Sequence, residues 1–167
     1  MTPLEPPDSH CLSAALGWLG LGNRTEARAE LAAISAANRQ HPAALEAHWL
    51  ICVSEGDWDA ALVAAREIMT HVPEEPDGWL HGAYALRRTE SGGLRQAWSL
   101  LRPAAEQFPQ EPTIAYNLAC YACQLQDLAE ARAWLQRACA ISGNQSIKEM
   151  ALVDTDLKPL WDEIQKL

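Results

Sequence analysis

Apolar residues recur at helical spacing along almost the whole chain. Ala and Leu dominate, and no run of Val, Ile, Thr or aromatic residues alternates with polar ones. The pattern therefore predicts helices and no sheet. Breakers divide it at Gly22-Asn23, Gly56-Asp57, Ser91-Gly92-Gly93 and Gln126-Asp127. Gly supplies a left-handed helix stop, and Asn or Asp caps the next start. Asn23 with Glu26 three residues on has the spacing of a capping box. Helices are expected near 8–20, 24–40, 43–54, 58–71, 77–88, 94–107, 113–125 and 128–141, then near 145–153 and 157–166. With Asp156 as the last cap, Pro159 falls in the first turn, where a missing N–H costs little.

The chain repeats. Pro7, Pro42, Pro76 and Pro112 are 35, 34 and 36 residues apart, and Ala27, Ala61, Ala97 and Ala131 are 34, 36 and 34 apart. Each block holds two helical segments. Antiparallel helices at about 8–10 Å need small side chains where their axes cross. Ala15 with Ala27, Gly82 or Ala83 with Ala97, and Ala119 with Ala131 meet that need, flanked by Leu31, Leu101 and Leu135. Trp49 stands where a small residue is expected and Ala65 where a large one is, an exchange of sizes across one interface. Pro103 lies inside the sixth helix and predicts a kink.

Three stretches carry a family likeness. They are GDWDAALVAAREIMTHVP (56–73), YNLACYACQLQDLAEARAWLQRA (116–138), and WLHGAYALRR followed by LRQAWSLLRPAAEQFP. In phase at about 34 residues, they resemble tetratricopeptide repeats. The resemblance implies an all-α fold, a right-handed α-α superhelix of antiparallel helix pairs. It divides the chain into an N-terminal extension (1–7), four hairpins (8–41, 42–75, 76–111 and 112–142) and capping helices (143–167). Met150, Leu152, Leu157, Leu160, Trp161 and Ile164 would cover the last apolar face. Similar Asp-x-Asp-Leu-x-x-Leu tails follow other arrays of the family.

A formal net charge of −9 argues against nucleic acid and against anionic membrane surfaces. The first residues, MTPLEPPDSHC, do not read as a secretory leader, and no apolar stretch reaches membrane-spanning length. Five cysteines, an odd number, then read as reduced thiols in a cytoplasmic protein. Cys120 and Cys123 have CxxC spacing within a helix, with no second pair to complete a zinc site and no strand before them. They read as small apolar fillers, with a redox role left open. His10, His41, His48, His71 and His81 have no metal spacing; His41 and His71 fall at predicted helix ends. No nucleophile elbow, phosphate-binding loop or dinucleotide fingerprint is present, so neither an enzyme nor a cofactor is expected. Trp18, Trp58, Trp79, Trp98, Trp134 and Trp161 all fall at core spacing.

In such an array the first helix of each hairpin would line the concave side. The residues expected there are Leu12 and Leu16, then Leu50, then Leu80, Tyr84, Arg87 and Arg88, then Tyr116, Asn117, Cys120 and Gln124. Ser9, Leu19, Ala43, Glu46 and Val53 share the same rows. Family members commonly hold a peptide or helix of a partner protein in this groove. The Lys and Asn set that clamps chaperone C-termini is missing, since Leu and Glu stand in its place. The expected function is a non-catalytic interaction module or scaffold. A chaperone or escort of a secretion or assembly subunit is the alternative, and an enzyme is remote. Two copies pairing through exposed end helices is a further expectation.

Overall fold

The computed structural model describes residues 3–166, and every regular element in them is a helix. The chain divides into two compact units, Met1–Ala85 and Leu86–Leu167.

In the first unit, α1 (Asp8–Gly20) pairs with α2 (Arg24–Ala32), and α3 (Pro42–Glu55) pairs with α4 (Trp58–His71). Helix α5 (Asp77–Leu86) follows. The caps work as the sequence predicts. Asn23 Oδ1 accepts from the Glu26 N–H at 3.2 Å, and Asp57 Oδ1 from that of Ala60 at 3.0 Å. The Asn23 box is not reciprocal, because its own N–H bonds the Trp18 carbonyl. Gly56, at φ 75°, is the left-handed residue that turns α3 into α4. Ala15, Ala27 and Ala61 are fully buried, as close helix crossing demands.

Helix α2 stops at Ala32, eight residues before the predicted end. A tertiary contact decides this. Asp8, buried at the start of α1, accepts the Ser35 N–H at 2.9 Å, the Ser35 hydroxyl at 2.5 Å and Asn38 Nδ2 at 2.7 Å. Three bonds to one carboxylate outweigh the helix propensity of the alanines around them. His41 is consequently no helix end but the N-cap of α3, its Nδ1 accepting from the Ala43 N–H. Arg28 of α2 forms a two-point ion pair with Glu55 of α3, Nε to Oε1 at 2.8 Å and Nη2 to Oε2. Gly78 lets α5 approach α4: a Cβ there would lie 2.7 Å from the Met69 backbone nitrogen.

In the second unit, α6 (Leu94–Leu101) and α7 (Ala104–Gln107) are separated at Pro103, where the kink is predicted. Helices α8 (Pro112–Gln124) and α9 (Leu128–Ser142) form the most regular hairpin, with Ala119 and Ala131 fully buried. Asp127 caps α9 through the Glu130 N–H. Trp98 and Trp134 meet edge to face at 6.2 Å, and the guanidinium groups of Arg102 and Arg137 lie over the Trp134 ring. Helix α10 (Asn144–Ala151), a 3-10 helix (Thr155–Leu160) and α11 (Trp161–Ile164) close the chain. The single predicted helix over 157–166 is thus two short ones. Its cap is Asp154, not Asp156: Asp154 Oδ1 accepts from the Asp156 N–H. Pro159 falls inside the 3-10 helix. Leu157, Leu160 and Ile164 are buried beneath this end.

Candidate partner-binding surface

Leu16, Leu50 and Tyr84 are 34 residues apart in turn and occupy the same place on α1, α3 and α5. Leu12, Glu46 and Leu80 form a second row one helical turn earlier. Leu16 is 42 % and Tyr84 38 % exposed, both large for apolar and aromatic side chains in a folded domain. Leu12, Leu50 and Leu80 are half-buried.

Beneath this surface lies an aromatic cluster. Trp49 stacks on His81 with centroids 3.6 Å apart and planes within 8°. Tyr84 meets Trp49 and Trp58 edge to face at 6.1 and 6.0 Å. The bulk of Trp49 is therefore taken up against α5. Glu46 reaches His81 Nε2 at 2.8 and 3.1 Å. Trp49 Nε1 is buried and has no hydrogen-bond partner among the described residues. His81 is not among the sequence-predicted site residues. Its place next to Leu80, the repeat equivalent of Glu46, is the signal that could have found it.

The remaining predicted residues belong to the second unit, and the chain's own C-terminal segment holds three of them. The Tyr116 hydroxyl donates to Asp154 Oδ2 at 2.9 Å, and Cys120 Sγ to the same oxygen at 3.5 Å. Arg87 Nη1 donates to Asp156 Oδ2 at 3.1 Å, while its guanidinium lies over the Tyr121 ring. Tyr116 and Cys120 are buried, so neither is open to an outside segment while this contact stands. Arg88 and Asn117 are half-buried and Gln124 is exposed. Burial, with the Asp154 carboxylate beside them, pushes the Tyr116 hydroxyl and the Cys120 thiol far above their ordinary values. Burial also pushes Tyr121 up to about 12, against the opposing pull of Arg87. The thiol of Cys123 is likewise raised by burial.

The CxxC pair is buried on α8. Its sulfurs are buried thiols held protonated, the reverse of an activated cysteine. Among the described residues no group of three or more His, Cys, Asp or Glu side chains is placed to hold a metal ion. Two clefts are lined by none of the residues of the α1–α3–α5 rows. One, of about 590 Å³, is lined by Arg28, Leu31, Arg39, Leu45, His48 and His71. The other, of about 340 Å³, is lined by Arg132, Leu135, Cys139, Leu160, Glu163 and Ile164. In each the cations are engaged: Arg28 with Glu55, Arg39 with the Ile34 carbonyl, and Arg132 with Glu163.

The chain is similar to the crystal structure of a thermophilic TPR protein of Thermus thermophilus, with a TM-score of 0.66 and 19 % sequence identity. The match covers 96 % of this chain and 100 % of that one. The fold is a tetratricopeptide-repeat fold. No protein-family model and no curated protein matches the sequence. No described helix is long and apolar enough to cross a membrane.

Proposed function

We propose that the protein is a non-catalytic, cytoplasmic interaction module that holds a peptide or helical segment of another protein across the first helices of its N-terminal unit. Leu12, Leu16, Leu50, Leu80 and Tyr84 supply the apolar contacts, with Glu46 and His81 at the polar margin. The observation that carries this reading is the exposure of Leu16 and Tyr84 at equivalent places in the repeat. Adjacent helices at about 8–10 Å match one turn of a polyproline-type segment, about 9 Å, or roughly six residues of an α-helix. A partner with apolar residues three apart in extended form, or six to seven apart as a helix, therefore fits the row. A basic residue beside them would meet Glu46. Arg88, Asn117 and Gln124 are proposed as partner contacts of the second unit taken by itself; Arg87, Tyr116 and Cys120 are left to the C-terminal segment.

Affinity capture from the native host with wild type, Leu16→Glu and Tyr84→Ala tests the reading. The expected result is a partner held by wild type and lost from both variants. A partner set unchanged in both would remove it.

A further inference from the structure

Helix α1 and its C-cap residue Leu21 carry a second apolar stripe, distinct from Leu12 and Leu16. Cys11, Ala14, Trp18 and Leu21 are spaced three, four and three residues apart, the seam of a packed helix pair. Trp18 is 37 % and Leu21 78 % exposed, so Trp18 departs from the core role its spacing predicts. In two later hairpins the equivalent position is covered. Cys52 on α3, 34 residues after Trp18, is 0 % exposed, and Ala122 on α8 is 2 %. There, α3 packs on α1 and α2, and α8 packs on α6. Among the described residues no helix precedes α1 to do the same.

The surroundings of the stripe identify what fits it. Residues 9–23 contain no Asp, Glu, Lys or Arg, although 21 % of the chain is charged. For a chain of net charge −9, a helical segment without acidic residues of its own is where a second copy can approach with least repulsion. Head-to-tail stacking would need a free last helix, and α9 is covered by the closing helices, with Leu135, Cys139, Leu157 and Leu160 buried. A two-fold arrangement needs only α1. Run antiparallel, the stripe matches itself: Trp18 of one copy falls over Ala14 of the other, and Leu21 over Cys11. Both pairs set a large side chain against a small one, and both recur by symmetry. The exposed Gly17 lies beside the centre and permits close approach of the backbones.

We propose that α1 pairs antiparallel with α1 of a second copy along Cys11, Ala14, Trp18 and Leu21, making the protein a two-fold dimer. The proposal stands apart from the partner surface of Leu16 and Tyr84. Sedimentation equilibrium over the micromolar range tests it, with full-length wild type, Trp18→Glu, Leu21→Glu and, as a control, Val153→Glu at an exposed position of the other unit. Wild type and Val153→Glu are expected to be dimers. Trp18→Glu and Leu21→Glu should each weaken association at least about tenfold. Leu21 is exposed enough that its variant will fold even if Trp18→Glu does not, and helical circular dichroism checks both. Monomeric wild type overturns the proposal, as does a dimer that Trp18→Glu and Leu21→Glu leave intact. A dimer dissociated by Val153→Glu alone also overturns it.

Discussion

Tyr116 and Asp154 are joined by a 2.9 Å hydrogen bond across 38 residues of chain. Asp154 also accepts the Cys120 thiol, caps the 3-10 helix through the Asp156 N–H, and offers its carbonyl to Trp161 Nε1. Replacing it by Ala leaves a buried hydroxyl without an acceptor. A loss of about 1–3 kcal/mol is expected. Urea unfolding measures it, and Cys120 should become the faster-labelled thiol in the same variant. An unchanged midpoint would show that the segment is held by its leucines alone.

Asp8 gives stability a pH dependence. The Ser35 hydroxyl, then the Ser35 N–H and Asn38, hold its carboxyl below the ordinary value, opposed by burial. A depressed carboxyl stabilises the fold above its unfolded pKa of about 3.9 and loses that contribution as pH falls through the lower folded value. Asp8→Asn should therefore melt below wild type at neutral pH, with the gap closing in acid. Parallel melting curves across that range would refute the role.

At Gly78 the space is missing rather than the conformational freedom. An added methyl group would press on the Met69 backbone as well as its side chain. Gly78→Ala should cost about 1–3 kcal/mol, despite the gain in helix propensity. Chemical denaturation reads the sign directly, and a stabilised variant would mean that α5 shifts freely.

Trp49→Ala removes the stack on His81 and the edge contact with Tyr84. It should cost about 3–5 kcal/mol in thermal or urea melts. Trp49→Phe keeps an aromatic ring and deletes the unbonded Nε1, so it should lose much less. Equal losses would shift the weight to the indole's size.

The helix pairs α1–α2, α3–α4 and α8–α9 were legible because Ala15, Ala27, Ala61, Ala119 and Ala131 record where helices touch, and local caps such as Asp57 and Asp127 mark their starts. Pro103 announced its own break. The end of α2 was not legible: Ala32, Ala33, Ala36 and Ala37 all favour helix, and only a carboxylate 27 residues away overrules them. Tyr116 and Cys120 read as groove residues for the same reason. Helical spacing assigns a face to a residue but says nothing of a distant segment that returns to lie on it. Trp18 erred in the other direction, since its spacing marks a packing stripe and no other element of the described residues covers it.

The Asp154 contact has a consequence for synthesis. A growing polypeptide finishes α8 and α9 well before Asp154, Leu157 and Leu160 leave the ribosome. During that interval Tyr116 and Cys120 stay wet and available to chaperones. A chain cut after Met150 is frozen in that interval, and it should bind a hydrophobic dye that the full-length protein excludes. Dye binding no greater than that of the intact chain would contradict this.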